Sequence, residues 1–205
     1  FEKTLKSALA QTYPNVEILV NDNSTNDDTE NLIQKYLGDK RLRYFRNYKA
    51  KSKEENFIPF EKQARGSLLQ WCMDDDILAP EKLKKMVPIL RDNPKVTLVT
   101  SQRNFIDAED NVIYDPVLKH KLDLKGECNG LTGYWAGYNT LTESANFIGE
   151  PSATLFRRED LKYHYWRAES KGLYTISDVA MWLELMEKGD LVIFRDPLSS
   201  YRRHK

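Results

Sequence analysis

The chain has 205 residues, enough for one large domain with a real core or for two small lobes sharing one. Its 31 Lys and Arg balance its 31 Asp and Glu, so no global field calls for nucleic acid or an anionic membrane. Two cysteines, Cys72 and Cys128, exclude a disulfide framework, and no apolar stretch approaches the ~20 residues that span a bilayer. A reducing compartment is the simpler expectation, with Cys72 as a small core residue. No signal peptide is visible, although the chain opens on Phe1 in the middle of a helical pattern, so a preceding segment is expected to be missing.

Residues 1–12 place Leu5, Ala8 and Leu9 at helical spacing and stop before Tyr13-Pro14. Residues 16–20 form a short apolar strand that ends in Asn21-Asp22-Asn23-Ser24, a turn dense in capping residues. A helix over residues 28–37 puts Leu32, Ile33, Tyr36 and Leu37 on one face, and Gly38 ends it. Residues 42–45 alternate as a strand, whereas residues 47–63, charged and interrupted by Pro59, read as the least structured part. The run Leu68-Leu69-Gln70-Trp71-Cys72-Met73 reads as a buried strand leading into Asp74-Asp75-Asp76.

Residues 80–90 form an amphipathic helix with Leu83, Met86, Val87 and Leu90 inward and Lys82, Lys84 and Lys85 outward. Residues 96–100 are an apolar strand, and residues 104–114 a hairpin around Ala108-Glu109-Asp110-Asn111. Periodicity is weak over residues 126–149; a strand over 150–156, helices over 158–165 and 179–187 and a strand over 191–194 follow. Helices alternating with strands through the first half argue for an α/β fold with a largely parallel sheet. One domain is expected, with a nucleotide-type half over residues 1–102 and a more irregular half over residues 103–205.

Three adjacent carboxylates repel one another, and a divalent cation or solvent between them makes the arrangement easiest to sustain. The strand places them at its carboxyl end, where open α/β sheets bind ligands. A polar strand-to-helix turn, with Asp76 assisting the helix that Pro80 begins, accounts for the same residues.

The stretch Gln11-Thr12-Tyr13-Pro14-Asn15-Val16 through Ser24 resembles the opening block of family-two glycosyltransferases of GT-A fold. Arg65-Gly66 before the aspartates resembles their second block, and Ser177-Asp178-Val179-Ala180-Met181-Trp182 their third, in the same order. The pattern lies nearest the branch of the spore-coat polysaccharide glycosyltransferase. It departs from the family in lacking the first strand, in carrying Ser177 where many members have Glu, and in a helix before Arg65 that looks shortened. The Gln-x-x-Arg-Trp motif of processive synthases is absent, which favours transfer of a single sugar.

The resemblance implies a GT-A architecture: a mostly parallel central sheet flanked by helices, with a Rossmann-like nucleotide half. It implies inverting transfer of one sugar from a UDP- or dTDP-linked donor to a glycan, lipid-linked or other hydroxyl acceptor in bacterial surface-polysaccharide synthesis. The expected setting is the cytoplasm or the inner face of the membrane. Mn²⁺ or Mg²⁺ would neutralise the leaving diphosphate while held by one or two carboxylates. Asp75 is the expected metal ligand, Asp74 the ribose or outer contact, and Asp76 a further ligand or a helix-start residue. Asp22 would accept the imide N–H of the base, or else cap its turn. Arg65 would pair with phosphate through its planar fork, or else stay solvated. Asp178 would be the general base, a role compatible with an N-cap, and His204 would close the metal site or lie in a frayed terminus. Tyr134, Trp135 and Tyr138 would offer stacking faces to an acceptor sugar or simply pack; His120 and His164 read as structural. The rival functions are a sugar nucleotidyltransferase, which would need a Gly-rich phosphate loop, and a non-catalytic nucleotide- or carbohydrate-binding module, which would not need Asp178.

Overall fold

The computed structural model describes residues 1–50, 53–114, 122–142, 146–161 and 177–204. Strands β1 (Ile18–Asp22) and β2 (Leu42–Arg46) pair in parallel, Ile18 opposite Leu42 and Asp22 opposite Arg46. One face of this pair, Ile18, Val20 and Tyr44, packs on Leu5 of helix α1 (Glu2–Leu9) and Ile33 of helix α2 (Asp28–Ile33). On the other face Leu19, Asn21 and Phe45 meet Pro59, Phe60 and Gln63 of helix α3 (Lys53–Gln63).

Helix α3 corrects the expectation of an unstructured 47–63. Proline inside a helix removes one donor and leaves the carbonyl four residues back without its partner. That carbonyl is Glu55 O, and the Asn47 side-chain amide donates to it at 3.1 Å. Phe57 and Phe60 then pack on Trp71 with ring centroids 5.1 and 5.4 Å away, which ties the helix to the main core.

Among the described residues the large sheet has seven strands. Its order is β3 (Leu68–Leu69), β8 (Leu155–Arg157), β5 (Val96–Ile106), β9 (Asp190–Arg202) and β4 (Ile77–Leu78), with β6 (Val112–Ile113) on β5 and β7 (Cys128–Leu131) on β9. Among the described pairs β5 and β9 run parallel, and the others are antiparallel. The α/β class therefore holds, but the sheet is mixed rather than mostly parallel. The 102/103 division falls inside β5, whose partners β8 and β9 come from the later half, so the two halves share one sheet.

The hairpin expected over 104–114 is present, turning through Asp110 at φ 71°. The strand expected over 68–73 is laddered only at Leu68–Leu69. Residues 150–156 begin with a 3-10 turn, Pro151–Ala153, before β8. The helix expected over 158–165 is a 3-10 turn, Arg158–Asp160, followed by an extended Leu161, and residues 162–165 lie outside the described residues.

Helix α4 (Lys82–Asp92) covers one face of the sheet with Met86, Val87 and Leu90 against Val99, Leu155 and Val192. Lys82, expected outward, is fully buried and donates to Ala153 O at 2.7 Å. Helices α5 (Gly133–Thr142) and α6 (Ser177–Lys188) cover the other face, where Ala136, Trp182 and Leu185 pack on Leu98, Phe156 and Leu191.

Helix α5 starts where α6 ends. A Cβ on Gly133 would lie 2.1 Å from both Met186 O and Gly189 O, so only glycine permits this approach. Gly133→Ala is expected to cost about 1–3 kcal/mol as the helices separate. Thermal unfolding should register it as a Tm drop of about 2–4 °C per kcal/mol, whereas Gly130→Ala, where a Cβ meets nothing within 4 Å, should shift Tm far less.

Candidate active site

The aspartate turn lies between β3 and β4, and its three carboxylates have different surroundings. Asp74 is exposed, with its backbone carbonyl accepting from Thr4 Oγ1 at 2.9 Å. Asp75 is half-buried, and its Oδ2 lies 2.7 Å from His204 Nε2. Asp76 is completely buried, and its Oδ1 accepts from the Arg202 backbone N–H at 3.1 Å. Burial pushes the Asp76 carboxyl up to about 6; the charges of Asp75 and Glu150 add to this, while Ser152 and the Arg202 N–H oppose it.

Sequence separates Asp75 from His204 by more than half the chain, yet the end of β9 brings them into contact. Carboxylate and imidazole form a donor pair that Mn²⁺ accepts, and their partial exposure leaves other positions for phosphate oxygens and water. Among the described residues no three His, Cys, Asp or Glu converge as a closed ligand set. An open pair fits a cation that takes its remaining ligands from a diphosphate.

Asp178 stands in the first turn of α6, its Oδ1 accepting from the Val179 N–H at 2.8 Å. Burial holds this carboxyl above the usual Asp value, against the pull of the Val179 N–H and the Arg103 charge. Asn146 Nδ2 lies 3.5 Å from Asp178 Oδ2. Arg103 Nε pairs with Glu150 Oε2 at 2.5 Å, and Arg103 Nη2 donates to Asn146 O at 3.0 Å.

The turn from Asn146 to Ala153 links Asp178 with the aspartates. Gly149, at φ 105°, takes a bond from Trp182 Nε1 on its carbonyl and gives its N–H to Asn146 Oδ1. Three residues on, the Ser152 hydroxyl accepts from the Met73 N–H at 2.9 Å. Asn146, Glu150, Ser152, Arg103 and Arg202 all escape the sequence reading, because each finds its partner through distant pairing. The one visible signal is an arginine two residues before His204 at a strand end.

Asp22 is buried at the carboxyl end of β1. Its Oδ1 accepts from Ser24 N and Ser24 Oγ; its Oδ2 accepts from Tyr44 OH at 2.7 Å and pairs with Arg46 at 3.2 Å. Burial alone would raise its pKa, but the bonds from Ser24 and Tyr44 and the Arg46 charge hold it below the usual value. Four partners engage both oxygens, so an imide N–H would have to displace one of them. Asp22→Ala is expected to destabilise by about 1–3 kcal/mol, the cost of leaving the Ser24 and Tyr44 donors without their acceptor, while Arg46 keeps Asp27 and Glu30. Asp27→Ala, at a carboxylate 77% exposed to solvent, should change urea-unfolding stability by at most about 0.5 kcal/mol.

Arg65 is exposed at the amino end of β3, where its N–H and that of Gly66 bond Glu17. That is the end opposite the aspartates. Tyr134 and Tyr138 stack with centroids 6.4 Å apart on the exposed side of α5. Tyr134 follows Gly133, which abuts Met186, eight residues or about 12 Å along α6 from Asp178. Trp135 meets Phe147 edge-on. His120 and His164 lie outside the described residues.

A nucleotide-type strand pair beside a mixed sheet, with carboxylates gathered at the strand ends, defines an α/β protein of GT-A architecture. The profile of glycosyl transferase family 2 matches residues 1–164, and the chain belongs to that family. Protein CgeD of Bacillus subtilis is 22% identical over 200 residues, covering 90% of this chain and 42% of that protein. An uncharacterized glycosyltransferase of Rickettsia conorii is 38% identical over 115 residues, 54% of this chain and 18% of that protein. The S. aureus TarS 1–349 structure superposes with a TM-score of 0.67 at 14% identity, covering 98% of this chain and 56% of that one. A second structure of that protein, in complex with UDP, gives the same TM-score. The chain thus spans less than two thirds of each of these relatives. Among the described residues no helix is long and apolar enough to cross a membrane.

Proposed function

We propose that this chain carries the donor site and base of a metal-dependent, inverting glycosyltransferase that moves one sugar from a nucleotide-diphosphate donor to a hydroxyl acceptor. The observation carrying this reading is the pairing of Asp75 with His204 at 2.7 Å near one end of the Asn146–Ala153 turn, with a half-buried Asp178 beside Asn146 at the other. It supplies an open cation-binding pair and a separate carboxylate with an elevated proton affinity. TarS, a structural neighbour, has been crystallised with UDP, which favours a uridine donor here.

Asp75 and His204 would hold Mn²⁺ or Mg²⁺, and Asp74 is exposed beside them for a ribose hydroxyl. The bound cation would offset the negative charge that develops on the leaving diphosphate. Asp76 stays inside the turn and shapes it. Asp178 takes the proton of the acceptor hydroxyl as its oxygen bonds to the anomeric carbon; the bond from that carbon to the diphosphate oxygen breaks and nucleoside diphosphate leaves. Attack from the face opposite the leaving group inverts the centre. In this reading Asp22 shapes the base pocket by fixing Ser24, Tyr44 and Arg46 rather than by giving an oxygen to the imide. Arg65 takes no part. The acceptor is a glycan or lipid-linked hydroxyl of a bacterial surface polysaccharide, and the enzyme works in the cytoplasm or at the inner face of the membrane.

The test is incubation of the full-length protein with Mn²⁺ and a panel of UDP- and dTDP-sugars, with and without hydroxyl acceptors. Release of nucleoside diphosphate that EDTA abolishes is expected. Release of pyrophosphate, or donor binding without turnover, would sink the reading.

A further inference from the structure

We infer that Arg202 is a positioning residue that sets the Asp75–His204 pair for its cation, an inference that rests on the proposed metal site. Arg202 ends β9, opposite Ile106 of β5, and is 92% buried. Its backbone N–H bonds Asp76 Oδ1 at 3.1 Å, and its Nε donates to the Asp75 carbonyl at 2.9 Å. The far side of the same guanidinium grips the β5–β6 turn. Nη1 donates to Asp107 O at 2.5 Å, and Nη2 bonds Asp110 Oδ1 at 2.6 Å. Asp110 is itself pinned by Lys3 of α1 at 2.5 Å and stands at positive φ.

One planar group therefore joins the aspartate turn to a hairpin and, through Asp110, to a helix. A guanidinium can do this because its N–H donors diverge in a fixed plane, a geometry an ammonium lacks. Two residues later the same strand end delivers His204 to Asp75, and the intervening Arg203 N–H is fixed on Ile106 O at 2.9 Å. Arg202 touches neither donor sugar nor cation in this account. It holds the Asp75 backbone and the base of the His204 segment in one register, and a donor pair held that way pays little to close on an ion.

Arg202→Lys keeps the charge and loses the fork. In the full-length protein, Mn²⁺ affinity read from the free-ion EPR signal is expected to fall about 10–100-fold. Activity at saturating Mn²⁺ should recover, so the change appears in the KM for metal and not in kcat. Asp110→Asn neutralises the distal anchor, leaving Arg202 an uncharged acceptor and releasing Lys3, and asparagine tolerates the positive φ there. It should weaken Mn²⁺ severalfold and decides the matter if Arg202→Lys does not fold. Unchanged Mn²⁺ affinity in a folded Arg202→Lys, or failing that in Asp110→Asn, overturns the proposal while Asp75→Asn still abolishes binding. Mn²⁺ affinity that survives Asp75→Asn overturns the metal assignment itself, and this proposal with it.

Discussion

Asp178→Asn is expected to lower kcat by about 10²–10⁴, the usual worth of a positioned general base, with the KM for the donor nearly unchanged. Asparagine preserves shape and still accepts the Val179 N–H, so the helix should start normally. What disappears is the negative charge that the proposed mechanism uses to take the acceptor proton. The wild-type rate should also carry an acid limb. The reactive form is the carboxylate, so the rate rises as pH rises through the Asp178 pKa, and burial displaces that limb above the ordinary aspartate range. Arg103 opposes the displacement and is paired with Glu150, while Asn146 approaches the same carboxyl without charge. Arg103→Gln should therefore move the limb further up in pH, and Asp178→Asn should abolish it. A steady-state pH profile with each variant reads both effects. Wild-type turnover in Asp178→Asn would remove the residue from the chemistry.

Stability should climb between neutral and alkaline pH because of Lys82. Burial lowers its folded-state pKa from 10.5 to about 7, with the Cys72 thiol site acting weakly in the opposite sense. Between those two values the unfolded chain holds a proton that the folded chain does not, so unfolding takes one up and stability rises with pH. The penalty of the buried ammonium is complete below about pH 7 and is relieved as pH climbs toward 10.5. The full span is worth at most about 5 kcal/mol at 1.36 kcal/mol per pKa unit. Lys82→Met removes this slope. It leaves Ala153 O without its donor, a loss of about 1–3 kcal/mol, which removal of the buried charge at pH 6 should offset. Urea unfolding of both proteins at pH 6 and pH 9 checks this: the variants should differ in slope, with Lys82→Met ahead at the lower pH. Parallel stabilities across that range would mean that Lys82 is not confined as described.

Lys82 also marks where sequence reading stops. Its helix is legible because Met86, Val87 and Leu90 repeat at helical spacing, and the Leu83–Leu90 stripe does face the core. A lysine at the first turn reads as outward by type, and only the distant Pro151–Ala153 turn makes it an inward donor. The same limit hides α5, whose buried stripe of Gly133, Ala136 and Thr140 is too small to show a hydrophobic period, while its large aromatics point to solvent. Helix α3 was obscured by Pro59, whose cost falls on a carbonyl that Asn47 serves from outside the helix. Strand β9 is legible only at its apolar centre, since Asp196 and Pro197 interrupt the pattern where the pairing with β5 shifts register. Family motifs point to Asp75, Asp178 and His204 because those residues are chemically distinctive. The residues that hold them, Arg202 and the Asn146–Ala153 turn, are ordinary in composition and are defined by contacts with residues tens of positions away or more.

The parallel pairing of β5 with β9 has a kinetic consequence. Val96 meets Asp190 and Ile106 meets Arg202, so the central ladder joins segments about 95 residues apart. Loop closure on that scale must precede any reward from the ladder, which slows folding. During synthesis β5 emerges long before β9 exists, so the edge that β9 will fill stays unpaired until the last strand is made. Nascent chains arrested before residue 190 should therefore be sensitive to protease around Val96–Ile106, and protection there should arrive in a single step once β9 has cleared the ribosome. The same step would bring Arg202 and His204 to the aspartates, so the site would be completed last.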